Sequence, residues 1–181
     1  MAKLIILDRD GVINEDSDTF IKSAEEWRAI PGSLEAIARL NRAGYRVVIA
    51  TNQSGIARGL FDVKALAGIH QRLRSELQSL GGHVDAIFYC PHHPNDDCLC
   101  RKPRTGLFEE IAERFNTSLE GVPAVGDSLR DLQAAREAGA KPILVRSGKG
   151  ENTLASGLVG EDIPVYDNLE AVAKALLAPP A

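Results

Sequence analysis

The chain of 181 residues carries 21 Lys and Arg against 25 Asp and Glu, a formal net charge of −4 at pH 7. Its hydrophobic fraction of 44% and charged fraction of 25% are ordinary for a folded globular protein and exclude a disordered one. The negative charge argues against a protein that binds nucleic acid by neutralising many phosphates, although a local cluster of cations can still bind a small phosphorylated ligand.

The apolar segments are all short. None approaches the roughly 20 residues of a membrane-spanning helix. The N-terminal run, residues 4–7, is too short for a signal peptide because Asp8 follows it directly. We therefore expect a cytoplasmic protein that has no membrane partner.

Short apolar runs alternate with amphipathic stretches along the chain. The runs are continuous rather than alternating, which is typical of strands covered on both faces. They predict strands at residues 4–7, 46–50, 86–89, 123–125 and 143–145, with an edge strand at 163–166. Helices are predicted from a cap at Ser33 to about Arg42, from a cap at Asp62 through Leu80, and over residues 107–115 and 128–138. This order predicts an α/β fold with a doubly wound, Rossmann-like, mostly parallel sheet, forming one domain over residues 1–178 before a tail at 179–181.

Polar motifs follow the predicted strands, at the edge of the sheet where such folds place their chemistry. The first strand ends in Asp8-Arg9-Asp10-Gly11, and residues two apart in extended chain point to the same side, so the two carboxylates converge. The second strand ends in Thr51-Asn52-Gln53-Ser54, whose hydroxyl and amide groups suit phosphate oxygens. Arg101-Lys102 follows the third strand and its loop, and Gly126-Asp127-Ser128 follows the fourth.

Together these motifs supply the groups that phosphoryl transfer needs. One carboxylate can attack phosphorus, and a second can protonate the leaving oxygen and later activate water. Carboxylates can also hold Mg²⁺, while a fixed Lys and a Thr hydroxyl stabilise charge on the phosphoryl oxygens. Each motif alone has a plainer interpretation as a turn, a helix cap or solvated surface charges. Their occurrence in order at consecutive strand ends favours a catalytic site.

The set of Asp8-Arg9-Asp10-Gly11, Thr51, Lys102 and Gly126-Asp127 resembles the four motifs of the haloacid-dehalogenase (HAD) superfamily of phosphatases. The resemblance implies that Asp8 is the nucleophile and Asp10 the general acid and base. It implies Mg²⁺ bound by Asp8, Asp127 and the main-chain carbonyl of Asp10. The segment between Asn14 and Trp27 is too short for a large cap domain and predicts a flap.

The same resemblance assigns the residues that hold the substrate. Thr51, Lys102 and Arg101 would complete the catalytic set around the phosphoryl group. The residues implied to touch the substrate are Asn52, Gln53, Ser54, Arg101 and Lys102. Arg58 is a weaker candidate for a remote phosphate.

Three cysteines cluster in a loop before the predicted phosphate-binding cations. Cys90, His92, Cys98 and Cys100 give the spacing C-x-H-x5-C-x-C, and three thiolates with one imidazole form a closed tetrahedral set typical of structural Zn²⁺. His93 is an alternative to His92, and free thiols are the alternative to a metal site. The zinc would hold the loop that positions Arg101 and Lys102.

Within the superfamily, this loop running into Arg101-Lys102-Pro103 is similar to two groups of phosphatases, those of a heptose bisphosphate and those of histidinol phosphate. The segments 51–59 and 145–150 favour the first group. We therefore expect a small phosphorylated sugar as the partner and a monomeric enzyme. The rival hypotheses are a phospho-acceptor signalling domain, which Asp10 disfavours, and a zinc-scaffolded interaction protein.

Three further residues have open or plainer interpretations. Trp27 is expected to pack beneath the flap, and His70 is expected to be solvated on a polar helix. Asp131 could either order Lys102 or be an acid on the helix surface.

Overall fold

The computed structural model of the protein describes residues 3–181. Over that range the chain forms six strands: β1 (Lys3–Leu7), β2 (Tyr45–Asn52), β3 (Ala86–Cys90), β4 (Pro123–Gly126), β5 (Lys141–Val145) and β6 (Val165–Tyr166). They pair in parallel in one sheet, in the order β3-β2-β1-β4-β5-β6. The predicted doubly wound sheet is confirmed, with β6 at its edge. β2 is longer than predicted, so Thr51 and Asn52 are its last residues.

The same described part of the chain contains six helices: α1 (Ser33–Arg42), α2 (Val63–Ser79), α3 (Gly106–Phe115), α4 (Leu129–Glu137), α5 (Gly150–Ala155) and α6 (Leu169–Leu176). The first four were predicted, whereas α5 and α6 were not. Among the helices of residues 3–181, none combines the length and apolarity that crossing a bilayer requires.

The two predicted helix caps had different outcomes. Asp62 caps α2, and its carboxylate accepts the main-chain N–H of Ala65. The prediction for Ser33 was wrong, because Gly32 in a left-handed conformation is the cap residue of α1. The Ser33 hydroxyl instead donates to the carbonyl of Ile13 at 2.6 Å, which ties α1 to the segment after β1.

Helices bury the sheet on both faces, as the continuous apolar strands require. Ile5 and Leu7 of β1 belong to a core cluster with residues of α1, α2 and α6. Leu4 and Ile6 belong to a second cluster with residues of α3 and α4. Trp27 is fully buried in the first cluster and is therefore a core residue.

The strand order reverses at β1. The chain passes from β1 to β2 and β3 on one side and then returns to β4 on the other. The crevice at such a switch point is where doubly wound folds bind their ligands. Asp8 directly follows β1 and Asp127 directly follows β4, so both carboxylates stand at this crevice.

The segment between β1 and α1 forms the predicted flap. It consists of turns, bends and two isolated bridges, which pair Asn14 with Asp10 and with Ala29. Main-chain hydrogen bonds from Glu15 to Arg28 and from Ile30 to Ile13 close its base. The flap therefore stands over the edge of the sheet without forming a separate domain.

Candidate active site

The residues predicted for catalysis, substrate binding and magnesium binding line one cavity of about 190 Å³ at the carboxyl edge of the sheet. They come from four separate motifs, which meet because the carboxyl ends of parallel strands share one edge. The cavity includes Asp8, Asp10, Thr51, Asn52, Gln53, Ser54, Arg101, Lys102 and Asp127. The structure therefore places all of these residues around a single cavity.

Lys102 is the buried cation of the site. Its Nζ lies 2.6 Å from Asp131 and 3.1 Å from Asp8, and it donates to the carbonyl of Ala50 at 2.8 Å. Burial alone would lower the pKa of Lys102, but the two carboxylates raise it well above its usual value. Asn52 holds the main chain of Lys102, because its side-chain amide donates to the carbonyl and accepts from the N–H of that residue. Lys102 is thus a fixed positive charge beside the predicted nucleophile.

Asp131 orders Lys102 and is not a surface acid. One carboxylate oxygen contacts Lys102, and the other accepts the main-chain N–H groups of Asp127 and Ser128 and the Ser128 hydroxyl. This arrangement is a capping box at the start of α4. Burial would raise the pKa of Asp131, but Lys102 and the Ser128 hydrogen bonds hold it below its usual value.

Asp8 and Asp127 form the acidic centre of the cavity. Burial and the charge of Asp131 raise the pKa of Asp8 to about 7. Burial and the charge of Asp8 raise the pKa of Asp127 to about 9. Both carboxyl groups therefore resist ionisation in the protein alone.

The donor set fits Mg²⁺. Carboxylate oxygens of Asp8, Asp127 and Asp131 lie within 4.8 Å of one another, and Lys102 balances one of their three charges. A divalent cation would balance the rest, and oxygen ligands are those that Mg²⁺ prefers. Because Asp131 is occupied by Lys102 and the helix cap, Asp8 and Asp127 would hold the ion. The main-chain carbonyl of Asp10 remains a ligand expected from the motif.

Gly11 allows the main chain to pass directly beside Asp127. Its φ of +85° lies in the left-handed region, and a Cβ there would lie 2.0 Å from an Asp127 carboxylate oxygen. Asp127 is also held by the N–H of Lys149 and, through its main-chain carbonyl, by the hydroxyl of Thr153. The acid is thereby fixed between β1 and the segment that follows β5.

Asp10 is held by three neighbours. Its Oδ1 accepts Nε and Nη2 of Arg9 at 2.9 and 2.7 Å and the amide of Asn14 at 2.9 Å. Its Oδ2 accepts the amide of Gln53 at 3.0 Å, and the same amide donates to the hydroxyl of Thr51. Burial would raise the pKa of Asp10, but Arg9 and these hydrogen bonds hold it below its usual value.

The prediction for His70 was wrong, because the structure buries it. Its Nε2 lies 3.2 Å from Nη1 of Arg9. Burial and the nearby charge of Arg9 lower the pKa of His70 to about 3, so the ring is neutral. The neighbouring polar residues in the sequence gave no sign of this contact.

The flap contributes cavity residues that the motifs did not identify. Those on the flap are Asp16, Ser17, Asp18, Phe20 and Ile21. Ser128, Arg130 and Lys149 also line the cavity, and Nζ of Lys149 lies 3.6 Å from the Asp16 carboxylate of the flap. The Arg58 guanidinium lies over the Phe20 ring at 5.6 Å and donates to the Ser54 hydroxyl, which joins the flap to the loop after β2. The acid-rich run at 15–18 is the signal that could have identified the flap as part of the site.

The three cysteines gather around His92 rather than His93. The Nδ1 of His92 lies 3.4 Å from Cys90 Sγ and 3.2 Å from Cys100 Sγ, and Cys90 Sγ lies 3.8 Å from Cys98 Sγ. Two thiolates bound to one tetrahedral Zn²⁺ are separated by roughly 3.8 Å. The ring of His93 instead accepts the N–H of Asn95. The four groups therefore fit a structural zinc ion.

The chain also matches known families and proteins. A family model described as polynucleotide kinase 3 phosphatase matches residues 3–134, and one described as HAD-hydrolase-like matches residues 99–172. The D-glycero-beta-D-manno-heptose-1,7-bisphosphate 7-phosphatase of Bordetella bronchiseptica is 59% identical over 175 residues, which cover 97% of this chain and 98% of the relative. The phosphatase of the same name from Pseudomonas aeruginosa is 53% identical over 174 residues, covering 96% and 97%.

Two crystal structures of heptose bisphosphate phosphatases also match this chain. The crystal structure of the B. bronchiseptica phosphatase, complexed with magnesium and phosphate, matches with a TM-score of 0.95 at 59% identity and covers 97% of this chain and 98% of that one. The D,D-heptose 1,7-bisphosphate phosphatase of Burkholderia thailandensis matches with a TM-score of 0.78 at 48% identity, covering 98% and 99%. The chain therefore belongs to the HAD-like hydrolases, in the family of the D-glycero-beta-D-manno-heptose-1,7-bisphosphate 7-phosphatases.

Proposed function

We propose that the protein is a Mg²⁺-dependent phosphatase that removes the 7-phosphate of D-glycero-D-manno-heptose 1,7-bisphosphate through an aspartyl-phosphate. The observation that carries this proposal is the Asp8 carboxylate at the strand-order reversal, beside Asp127 and 3.1 Å from the fixed cation of Lys102. The names of relatives that match over nearly the whole chain support the substrate. Such a product would serve the synthesis of lipopolysaccharide precursors.

In the first step a carboxylate oxygen of Asp8 forms a bond to phosphorus, and the bond from phosphorus to the oxygen on C7 breaks. The leaving oxygen takes the electron pair and receives a proton from Asp10. Lys102 and the Thr51 hydroxyl stabilise charge on the phosphoryl oxygens. In the second step Asp10 accepts a proton from water as the water oxygen bonds to phosphorus, and inorganic phosphate leaves Asp8.

Bound Mg²⁺ would supply the positive charge that keeps Asp8 ionised and offsets charge on the phosphoryl group. Asp10 is ionised before substrate arrives, because Arg9 holds its pKa low. The phosphoryl dianion that enters beside Asp10 opposes that charge and raises its pKa, which favours the protonated form. Asp10 can therefore act as an acid in the first step and as a base in the second.

A second phosphate on the substrate suits the cationic side of the cavity. Nη1 of Arg101 is buried and has no hydrogen-bond partner within residues 3–181. Burial and the charges of Arg130 and Arg58 lower the pKa of Arg101, and Arg101 and Arg130 both line the cavity. An anion bound there would offset the repulsion between these guanidinium charges. We propose that Asn52, Gln53 and Ser54 border the sugar between the two phosphates.

The remaining parts of the proposal concern the loop and the whole chain. Zn²⁺ bound by Cys90, His92, Cys98 and Cys100 would hold the loop that carries Arg101 and Lys102. Free rather than disulfide-bonded cysteines favour the cytoplasm. We also propose a monomer with one phosphatase domain over residues 1–178 and a tail at 179–181.

The test is phosphate release with Mg²⁺ from three substrates in parallel: the heptose 1,7-bisphosphate, histidinol phosphate and a 3′-phosphorylated oligonucleotide. We expect the highest kcat/KM for the bisphosphate, with activity abolished by Asp8→Asn. Histidinol phosphate, the alternative substrate, is not favoured by the relatives. A higher kcat/KM for it or for the oligonucleotide would refute the substrate, whereas activity in Asp8→Asn would refute the nucleophile. An aspartyl-phosphate that forms without turnover would instead support a signalling domain.

A further inference from the structure

Arg9 is a fully buried cation that the proposed reaction does not use directly. It lies between the two carboxylates of its motif, but its guanidinium turns to Asp10 and binds Oδ1 through Nε and Nη2. A buried guanidinium is costly unless its donors are satisfied. Its other side-chain contact joins Nη1 to Nε2 of His70, on α2, at 3.2 Å. Arg9 is therefore held from two sides by groups that are far apart in the sequence.

The contact with Arg9 fixes the protonation state and the tautomer of His70. Because Nη1 of Arg9 is a donor, Nε2 of His70 has to accept, so the ring is a neutral imidazole with its proton on Nδ1. His70 is 9% exposed and stands on a helix packed in the core cluster of β1. His70 is thus a rigid acceptor that fixes how far the guanidinium of Arg9 can move.

Arg9 in turn fixes the orientation of the Asp10 carboxyl group. Two donors of Arg9 and the amide of Asn14 occupy Oδ1, whereas Gln53 alone donates to Oδ2. The side chain of Asp10 is 24% exposed and lines the cavity. With Oδ1 held, Oδ2 is the oxygen that can exchange a proton with the substrate, and proton transfer depends steeply on such alignment.

We propose that His70 is a positioning residue that acts through Arg9 to aim Oδ2 of Asp10 at the leaving oxygen. This inference rests on the proposed function, since it takes Asp10 to be the general acid. A purely structural His70 would satisfy a buried donor and nothing more. The two roles differ in one respect: a positioning role affects substrates that need a proton on the leaving group, and a structural role affects all substrates alike.

The experiment measures kcat/KM for two substrates in wild type, His70→Leu, His70→Gln and Asp10→Asn. The heptose 1,7-bisphosphate has an alkoxide leaving group that needs the proton, whereas 4-nitrophenyl phosphate releases a phenolate that does not. The ratio kcat/KM reports the steps up to the aspartyl-phosphate, which include departure of the leaving group. His70→Leu removes the acceptor, and His70→Gln keeps an oxygen near the position of Nε2.

We expect His70→Leu to lower kcat/KM for the bisphosphate by about 10- to 100-fold and for 4-nitrophenyl phosphate by less than about threefold. His70→Gln should recover most of the loss. Equal losses on both substrates, or no loss, would overturn the inference. If His70→Leu does not fold, His70→Gln is compared with His70→Asn, whose shorter amide cannot reach Arg9. Equal activity of these two variants would overturn the inference.

Asp10→Asn separates a failure of this inference from a failure of the proposed function. It should show the same selective loss as His70→Leu, but a larger one, because it removes the proton itself. If Asp10→Asn shows the selective loss and His70→Leu does not, only the positioning role is refuted. If Asp10→Asn affects both substrates equally, the acid role of Asp10 is refuted and the inference with it.

Discussion

Replacing Lys102 by Met tests whether the acidic cavity depends on one buried cation. Lys102 is 2% exposed, and its Nζ contacts Asp131 at 2.6 Å and Asp8 at 3.1 Å. Met fills a similar volume but carries no charge, so the two carboxylates lose their shared partner. Breaking a buried ion pair by removing one partner costs ~3–5 kcal/mol of folding free energy. For a chain of this size that corresponds to a fall in Tm of roughly 6–20 °C.

The assay is urea unfolding of the metal-free protein across a range of pH. Lys102 holds the pKa of Asp131 below its usual value, so this stabilisation is present above the carboxyl pKa of the unfolded chain and is lost as pH falls through the lower folded value. The difference between wild type and Lys102→Met should therefore be largest near neutral pH and shrink below about pH 4.

Lys22→Met is the matched control. Lys22 pairs with Glu26 at 3.3 Å on the surface, and exposed pairs of this kind contribute less than about 1 kcal/mol. A loss in Lys102→Met no larger than in the control would refute the reasoning, as would a loss that is independent of pH.

Three other perturbations test separate parts of the site. Gly11→Ala should abolish Mg²⁺ binding in a calorimetric titration, because a Cβ at this position would displace Asp127. The control is Gly44→Ala, which shares the positive φ but has open space around it and should cost only about 1–2 kcal/mol of folding stability. Equal effects of the two substitutions would contradict the steric argument. The pKa values of Asp8 and Asp127 are raised to about 7 and about 9, so the metal-free fold loses stability as pH rises through these values. Mg²⁺ binding should therefore release protons and become tighter with rising pH. Calorimetry in buffers of different ionisation enthalpy measures the protons released, and proton uptake or no proton release would contradict the prediction. Cys98→Ser should lower the zinc content and reduce kcat/KM by roughly 10- to 100-fold by loosening the loop before Lys102, and unchanged activity in a zinc-free protein would contradict this.

The strands and their terminal motifs could be predicted because both depend on neighbours in the sequence. Continuous apolar runs indicated buried strands, and the convergence of Asp8 and Asp10 followed from their spacing of two. The common edge of a parallel sheet then placed Thr51 and Lys102 beside them. These inferences needed no knowledge of tertiary contacts.

Features that depend on distant partners could not be predicted in the same way. His70 stands among polar residues, and only the fold brings it to Arg9, from which it is separated by 61 positions. The sequence leaves the role of Asp131 open between two interpretations, and its contact with Lys102 in the fold decides between them. Ser33 has the chemistry of a helix cap, but its hydroxyl bonds to Ile13 in another segment.

The most direct test of the central claim is to trap the phosphorylated enzyme. We would mix the protein with Mg²⁺ and the heptose 1,7-bisphosphate, quench with acid during turnover, and analyse its peptides by mass spectrometry. The account predicts that the peptide containing Asp8 gains the mass of one phosphoryl group, that hydroxylamine removes it, and that Asp8→Asn abolishes it. Phosphate release with no modified peptide at any quench time, or a phosphoryl group on another residue, would contradict nucleophilic attack by Asp8.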